Sequence, residues 1–209
     1  MVYIIISLIA AYLLGSMPTA YIFAKVLSGV DIRAHGSGNV GATNVARTIG
    51  KVPGIIVLVI DILKGFAAVA ILPLIIKKIF PDTGDSFNET VLVLLGMAVI
   101  FGHIWTVFLK FKGGKGVATT AGAMIALSPV IFGIAIVVWI IVFSIWKYVS
   151  LASIVAAITL PIASVITGKS FMFVVFSAVV CMIGIYTHRT NIKRLIQGSE
   201  NRIVKDKKS

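Results

Sequence analysis

The chain has one cysteine, three histidines and only seven acidic residues among its 209 residues. A single cysteine, Cys181, cannot form an intramolecular disulfide, and a thiolate-ligated metal site needs several thiols. The acidic residues are too few for the clustered aspartates of a metal-dependent phosphotransferase, and the histidines lack the spacing of metal ligands. We therefore expect no metal site, no cofactor and no redox chemistry.

Polar residues are also scarce. Of all residues, 59% are hydrophobic, and the mean hydropathy is +1.08. A soluble domain cannot bury so much apolar surface, so the composition indicates an integral membrane protein. A spanning helix needs roughly 20 apolar residues, which most of the apolar stretches supply. These stretches are residues 2–24, 54–76, 90–109, 117–146 and 150–187.

The last two apolar stretches are too long for one crossing each. Ser128 precedes Pro129, and a proline disfavours helix at the residue before it. Residues 167–170 read Thr-Gly-Lys-Ser, which is typical of a turn. The pattern therefore predicts an all-α integral membrane protein with about seven transmembrane helices, the fourth of them short, in one polytopic domain over residues 1–209. An alternative with five spans leaves both long stretches unbroken.

Basic residues determine the expected orientation. They number 19, for a net charge of +12, and most lie in alternate loops and beyond the last span. Because lysine and arginine are retained on the cytoplasmic side, we predict an external N-terminus and a cytoplasmic C-terminus in either span model. No basic residue precedes Lys25, so we interpret the first apolar run as a retained helix and not a signal peptide. The basic tail, residues 198–209, is expected at lipid headgroups, and we expect no nucleic-acid partner.

Residues 36–47 form the first of three glycine-rich or basic segments. The glycines match the dinucleotide pattern G-x-G-x-x-G, but that pattern has meaning only between a strand and a helix, and here it lies between two membrane spans. Glycines also let backbone amides converge into a nest for an anion. We predict a phosphate or carboxylate site, with a flexible polar linker as the alternative. The residues assigned to it are Gly36, Ser37, Gly38, Asn39, Gly41, Thr43, Asn44 and Arg47.

The second segment, residues 112–116, reads Lys-Gly-Gly-Lys-Gly and leads directly into an apolar stretch. It is not a Walker A motif, because Leu109 occupies the position where that motif needs a glycine. Amides at a helix start, together with a lysine ammonium, still favour phosphate binding, whereas the alternative is a basic loop that only follows topology. The predicted phosphate-binding residues are Gly113, Gly114, Lys115 and Gly116, with Lys112 in support.

The third segment begins where the last span ends. In a helix, His188, Asn191 and either Lys193 or Arg194 lie near one another. We predict that they contribute to the same anion site, and the alternative for His188 is an interface anchor. In both span models all three segments are expected on the cytoplasmic face.

Two charged residues lie inside the second apolar stretch. Asp61 and Lys64 are three residues apart, so they can pair on one helix face. Charges within a membrane face the protein interior or a polar cavity, which makes this pair a functional candidate, with a structural ion pair as the equal alternative. His103, near the end of the third stretch, is predicted to help shape the site.

These segments, in this order and in a chain of this length, resemble the bacterial acyl-phosphate:glycerol-3-phosphate acyltransferase family, PlsY. The similarity extends over nearly the whole chain, with one departure at Thr106, where the family pattern has a proline. The stretches that carry the resemblance are residues 11–16, 36–47, 61–65, 102–119, 148–153 and 188–200.

The resemblance implies roles for the residues at matching positions. It implies that the glycine loop with Lys115 holds a phosphate, that Ser153 helps to complete the pocket, and that Glu200 is mainly structural. The expected catalytic residues are Ser37, Arg47, His188 and Asn191.

The family transfers a fatty acyl group from acyl phosphate to the 1-hydroxyl of sn-glycerol 3-phosphate. The products are lysophosphatidic acid and inorganic phosphate, in the first acylation step of phospholipid synthesis. The resemblance thus implies a bacterial cell-membrane enzyme, and we expect a monomer with its active site at the cytoplasmic face. Whether His188 or a substrate phosphate oxygen takes the hydroxyl proton stays open, as does strict exclusion of acyl-CoA as donor.

Two other functional classes compete with this interpretation. A transporter or channel also suits broken helices and an intramembrane ion pair, but the halves of the chain show no repeat that would favour it. A lipid-binding scaffold leaves the serine, asparagine and arginine positions unexplained.

Overall fold

The computed structural model describes residues 2–83 and 86–202, which form helices and loops with no β-strand among them. The predicted helical class is confirmed. A π-helix, Ala67–Ile71, joins α4 to α5, and 3-10 turns cover Ile32–Ala34, Pro81–Thr83 and Val107–Leu109. The α-helices are α1 (Val2–Ser16), α2 (Thr19–Ser28), α3 (Ala42–Thr48), α4 (Lys51–Phe66), α5 (Leu72–Ile79), α6 (Glu89–Ile104), α7 (Val117–Leu127), α8 (Pro129–Trp146), α9 (Val149–Ile166), α10 (Phe171–Thr187) and α11 (Arg189–Ile196).

Within the described ranges, five helical stretches are long and apolar enough to cross a membrane. Helices α10 and α11, bent by 59° relative to each other, would together add a sixth. Helix α7 is apolar but has only 11 residues. The exact count of seven and the orientation of the termini therefore stay predictions. The five stretches are Val2–Ser28, Lys51–Ile79, Glu89–Leu109, Pro129–Trp146 and Val149–Ile166.

Both breaks predicted in the long apolar stretches are present. Helix α7 ends at Leu127 and α8 begins at Pro129. Helix α9 ends at Ile166, and Gly168 adopts a φ of +64° in the turn that follows. Turn chemistry and proline therefore locate the helix ends correctly in this half of the chain.

A further break, which was not predicted, interrupts the first apolar stretch. Helix α1 ends at Ser16 and α2 begins at Thr19. The cause is Pro18, which disfavours helical geometry at Met17. Proline also explains the π-helix in the second stretch, because the ring of Pro73 displaces the carbonyl four residues earlier, at Val69 inside this segment.

The chain divides into two compact units, the first ending at Leu127 and the second starting at Ser128. A single domain over the whole chain stays a prediction. In the first unit α1 packs on α6 and α4 packs on α7. A Cβ atom added to Gly102 would overlap the carbonyl oxygen of Tyr12, and one added to Gly122 would overlap that of Ile62. Only glycine fits at these two crossings, as in the small-residue interfaces of membrane helices.

In the second unit α9 packs on α8 and on α10, and α11 contacts both α9 and α10. Phe173 and Phe176 are buried and meet edge to face, with ring centroids 6.0 Å apart. Large apolar side chains along α8 are exposed, among them Val137, Ile141 and Ile145. An apolar exterior of this kind suits lipid and would be unfavourable in water.

Candidate functional site

The first glycine-rich segment is a loop built around the side chain of Asn44. The side-chain amide nitrogen of Asn44, Nδ2, donates to the carbonyl oxygens of Ile32, His35 and Asn39, at 3.2, 3.0 and 3.1 Å. The Asn44 Oδ1 atom accepts a hydrogen bond from the backbone amide of Ser37 at 2.9 Å. Asn44 is only 1% exposed. Its side chain therefore organises the loop from inside and is already bonded to the backbone.

Glycine is required where this loop turns. Gly36 and Gly38 have φ values of +58° and +71°, a region that other residues rarely adopt. A Cβ atom on Gly36 would also overlap the Asn44 side chain. Two of the glycines assigned to the anion site thus have a clear conformational role.

Apolar anchors hold the loop and leave its polar groups accessible. Val40 and Val45 are buried in one cluster with Ile32, Val57 and Leu109. The cluster fixes the loop against α4 and against the turn that precedes the second glycine-rich segment. The predicted site residues of this loop with exposed polar side chains are Ser37, Thr43 and Arg47.

An exposed ion pair stands at the entry to the loop. The Arg33 guanidinium lies 2.6 Å from the Asp31 carboxylate, and the Arg33 amide also donates to Asp31. Hydrogen bonds from Arg33 lower the pKa of Asp31 to about 2. The Arg33 guanidinium also lies over the ring of Tyr21, 5.3 Å from its centroid. The charge of Arg33 is therefore matched locally and helps to fix the loop entry.

The second glycine-rich segment folds back onto the end of α6. The Gly113 amide donates to the Ile104 carbonyl oxygen at 2.9 Å, and the Gly114 amide donates to that of His103 at 3.1 Å. These bonds satisfy carbonyl groups that a helix end otherwise leaves without partners. The first backbone hydrogen bond of α7 runs from the Thr120 amide to the Gly116 carbonyl oxygen. The backbone amides just before Thr120 therefore lie at the start of the helix, where amides can donate to an anion.

Thr106, at the position where the resemblance implies a proline, has a backbone conformation that proline can also adopt. Its φ is −65°, the angle at which a proline ring is locked. The Thr106 hydroxyl donates to the Ser16 carbonyl oxygen at 2.5 Å. Thr106 therefore has a turn geometry compatible with proline and adds a hydrogen bond to the end of α1.

The two glycine-rich segments of the first unit lie side by side. A Cβ atom on Gly114 would lie 2.6 Å from the Val40 carbonyl oxygen and would overlap Nε2 of His103. Gly114 thus fits between the first loop and the His103 ring. The structure thus brings the two segments together and places His103 directly beside the second.

Asp61 and Lys64 form an ion pair beneath these loops. Lys64 Nζ lies 2.8 Å from Asp61 Oδ1 and donates to the Met17 carbonyl oxygen at 3.1 Å. The Thr19 hydroxyl donates to Asp61 Oδ1 at 3.1 Å, and His103 Nδ1 lies 3.7 Å from the same atom. Asp61 and Lys64 are 2% and 5% exposed. Lys64 therefore contacts the C-terminal end of α1, and Asp61 contacts the N-terminal end of α2. Both contacts are favourable, because a helix dipole is negative at its C-terminus and positive at its N-terminus.

In the second unit His188 lies at the bend between α10 and α11. It is 3% exposed, and its Nδ1 atom lies 2.8 Å from the Gly184 carbonyl oxygen. Because a carbonyl oxygen only accepts, Nδ1 carries a hydrogen, and in the neutral ring Nε2 is the acceptor nitrogen.

The carboxylate of Glu200 accepts hydrogen bonds from three side chains on two helices. Glu200 Oε1 accepts from Asn191 Nδ2 at 2.7 Å and from the Ser150 hydroxyl at 2.9 Å, and Oε2 accepts from Arg194 Nε at 2.7 Å. Burial raises the pKa of Glu200, but the hydrogen bonds from Arg194, Asn191 and Ser150 outweigh it and leave the pKa below its usual value. Arg202 adds a bond to the Tyr148 hydroxyl at 2.8 Å. The segment after α11 thus ties the start of α9 to α11.

The remaining predicted residues differ in their surroundings. Ser153 is buried, donates to the Val149 carbonyl at 2.8 Å and accepts from Trp139 Nε1 at 3.1 Å. Lys112 and Lys193 are exposed, and Lys115 is half-buried.

The predicted site residues therefore form two constellations, one in each unit. The first contains both glycine-rich segments with Asp61, Lys64 and His103, and the second contains His188, Asn191, Arg194, Ser153 and Glu200. A single pocket formed by both stays a prediction. Sequence reasoning missed Ser150 and the contacts of Ser16, Met17 and Thr19, although Pro18 signalled the helix break that creates them. Among the described residues, no group of three or more histidine, cysteine or acidic side chains is placed to hold a metal ion.

The geometry can be compared with known proteins. Residues 5–198 match the family model described as glycerol-3-phosphate acyltransferase. The glycerol-3-phosphate acyltransferase of Endomicrobium trichonymphae is 48% identical over 201 residues, covering 95% of each chain. Glycerol-3-phosphate acyltransferase 2 of Moorella thermoacetica is 44% identical over 200 residues, covering 95% of this chain and 97% of its own.

Two solved structures of PlsY (YgiH), described as an integral membrane glycerol 3-phosphate acyltransferase, have the same fold. Its glycerol 3-phosphate form has a TM-score of 0.84 at 42% identity over 96% of each chain. The form with lysophosphatidic acid has a TM-score of 0.81 at 41% identity, over 96% of this chain and 95% of that one. The chain therefore belongs to the glycerol-3-phosphate acyltransferase family of integral membrane proteins, the family of PlsY.

Proposed function

We propose that this protein transfers a fatty acyl group from acyl phosphate to the 1-hydroxyl of sn-glycerol 3-phosphate. The hydroxyl oxygen forms a bond to the acyl carbon, the bond from that carbon to the phosphate oxygen breaks, and the hydroxyl proton passes to a base. Lysophosphatidic acid and inorganic phosphate are the products. The observation that carries the proposal is the packing of two glycine-rich segments against each other, with Ser37 and Arg47 exposed beside them.

The charge of the substrates supports this assignment. Both are anions, and acyl phosphate carries a tail that partitions into lipid, so a cationic site on an integral membrane protein suits both. Acyl phosphate is already an activated carbonyl compound with a good leaving group. The enzyme then needs mainly to position the reactants and to stabilise developing charge on the oxyanion and the leaving phosphate.

In the first unit we assign phosphate binding to the second segment and to the exposed groups of the first. Lys115 with the amides at the start of α7 holds the phosphate of the donor, and Ser37 contributes a hydroxyl. Arg47 orients glycerol 3-phosphate. Asn44 acts indirectly, because both its donor and its acceptor atoms hold the loop together.

In the second unit we assign His188 and Asn191 to the acceptor substrate, with Ser153 lining the same pocket. The hydrogen bond from His188 Nδ1 leaves Nε2 as the nitrogen that can accept a proton. A phosphate oxygen of the substrate is the other candidate acceptor. If His188 is the base, His188→Ala lowers kcat; an effect confined to KM would assign proton transfer to the substrate.

The test is a reconstituted assay of the purified protein in lipid. Glycerol 3-phosphate is supplied with palmitoyl phosphate or, separately, with palmitoyl-CoA, and lysophosphatidic acid and phosphate are measured. We expect product from acyl phosphate alone, abolished by Ser37→Ala and by Arg47→Ala. Product from palmitoyl-CoA would overturn the donor assignment. No product from either donor would favour the transporter or scaffold hypothesis.

A further inference from the structure

A small polar cavity lies in the first unit between the break of α1 and α2 and the glycine-rich segments. Its volume is about 10 Å³, measured as the space open to the centre of a water-sized sphere. That is close to the minimum for a single water molecule. The lining residues that matter here are Ser16, Asp61, His103, Thr106, Gly113 and Gly114.

One polar side chain beside this cavity lacks a hydrogen-bond partner among the described residues. Ser16 is 0% exposed, and its hydroxyl makes no hydrogen bond to any other described residue. The buried Asp61 carboxylate lines the same cavity. A buried hydroxyl left in this state is costly, and native proteins almost always satisfy such a group.

The charges around the cavity define the class of ligand. Lys64 Nζ lies 2.8 Å from Asp61 Oδ1, so it already neutralises the carboxylate and repels a metal cation. The carboxylate equally repels an anion. A water molecule can donate to the Asp61 carboxylate and exchange a hydrogen bond with the Ser16 hydroxyl without adding charge.

We propose that this cavity is an ordered-water site that connects the break between α1 and α2 to the second glycine-rich segment. Gly113 and Gly114 line the same cavity, and their amides are bonded to the end of α6. The water therefore fills the space behind the segment and fixes its distance from the Asp61–Lys64 pair. The catalytic consequence, that Ser16 is a positioning residue for the phosphate-binding segment, rests on the proposed function.

The water site is tested first by stability, which does not depend on activity. Ser16→Ala is compared with Thr119→Val, because Thr119 is also 0% exposed and its hydroxyl bonds to no described residue, yet it does not line the cavity. Removing a hydroxyl that bonds nothing is neutral or stabilising, whereas removing a ligand of a buried water is destabilising. We expect the melting temperature in lipid to fall by roughly 2–4 °C for Ser16→Ala and to stay level or rise for Thr119→Val.

An unchanged or raised melting temperature for Ser16→Ala would overturn the water site. The same melts are repeated with sodium replaced by a large organic cation. We expect no change, and a melting temperature that depends on sodium would overturn water in favour of a cation.

The connection to the segment is tested by kinetics with glycerol 3-phosphate and palmitoyl phosphate. We expect Ser16→Ala to lower kcat/KM by about tenfold, because even a small displacement of the groups that position the substrates lowers the reaction rate strongly. The control is Ser7→Ala, which removes an equally buried serine hydroxyl from α1 whose one described hydrogen bond is to the Tyr3 carbonyl. Equal kcat/KM in Ser16→Ala and the wild type would overturn the positioning role. If the wild type has no activity, the proposed function fails while the melting comparison still decides the water site.

Discussion

The side chain of Asn44 shows how one residue determines the shape of a whole segment. Its residue type and its place in a glycine-rich loop make it a candidate ligand for phosphate, as the sequence analysis predicts. In the folded chain it bonds to four backbone positions and is buried. An asparagine amide can serve a ligand or its own loop equally well, and only the tertiary contacts distinguish the two.

Replacing Asn44 with alanine should disorder the first loop. Three carbonyl groups and one amide lose their partner, so we expect a loss of about 2–4 kcal/mol in the free energy of unfolding and, from the misplaced Ser37, about a hundredfold lower kcat/KM. Thermal melts and the acyl-transfer assay measure both quantities. Thr48→Val is the matched control, because the one hydrogen bond described for the Thr48 hydroxyl lies within α3. Full activity in Asn44→Ala would contradict the organising role.

The hydrogen bonds of Glu200 predict how the stability of the fold depends on pH. Its pKa is below the usual value in the folded chain, so its hydrogen bonds stabilise the fold fully above the ordinary pKa of a glutamate, about 4.3. The contribution is lost as the pH falls through the folded pKa. We expect Glu200→Gln to melt below the wild type at pH 7 and the difference to shrink as the pH falls below about 4. A difference that is independent of pH between 7 and 3 would show that the charge of Glu200 is unimportant.

At the scale of elements, two helix pairs of the first unit depend on glycine at their crossings. A sequence reading identifies Gly102 and Gly122 only as glycines within apolar helices, where they weaken the helix slightly. The structure shows the compensation, because the carbonyl oxygens of Tyr12 and Ile62 occupy the space that a Cβ atom would need. Which backbone lies there depends on the pairing of α1 with α6 and of α4 with α7.

Gly122→Ala should therefore separate α4 from α7. We expect a loss of about 1–3 kcal/mol from the strain of the added methyl group. Gly133→Ala is the control, because nothing lies within 4 Å of a Cβ atom there. It should be neutral or stabilising by up to about 1 kcal/mol, since alanine favours helix. Reversible unfolding in detergent measures both, and equal stabilities of the two variants would refute the close packing.

Proline acts at the scale of elements too, and its effects are partly visible in the sequence. Pro129 marks the start of α8 as predicted. Pro18 has the same meaning, but the apolar residues on both sides of it concealed the break. The break matters because it frees the Met17 carbonyl to accept a hydrogen bond from Lys64.

For the whole molecule, the orientation in the membrane stays a prediction that labelling can decide. Lys51 and Lys78 lie near opposite ends of the stretch Lys51–Ile79. After Cys181→Ser removes the natural thiol, Lys51→Cys and Lys78→Cys are each treated in intact cells with a membrane-impermeant maleimide. We expect labelling of Lys78→Cys only, because the first loop is predicted to be cytoplasmic. Labelling of Lys51→Cys alone would reverse the predicted orientation, and the cysteine-free variant gives the background.

The sequence by itself determined the membrane class, the helix breaks at residues 128–129 and 167–170, the segments that carry the polar groups and the pairing of Asp61 with Lys64. Hydropathy, proline and glycine effects and the three-residue spacing of that pair all act within a few residues of the chain, so they can be read locally. Tertiary structure alone decided that Asn44 holds its loop, that the amides of Gly113 and Gly114 cap α6, and that Thr106 bonds to Ser16 across 90 residues. These outcomes depend on which distant groups meet, because a buried donor bonds to whichever acceptor the packing of the helices brings within reach.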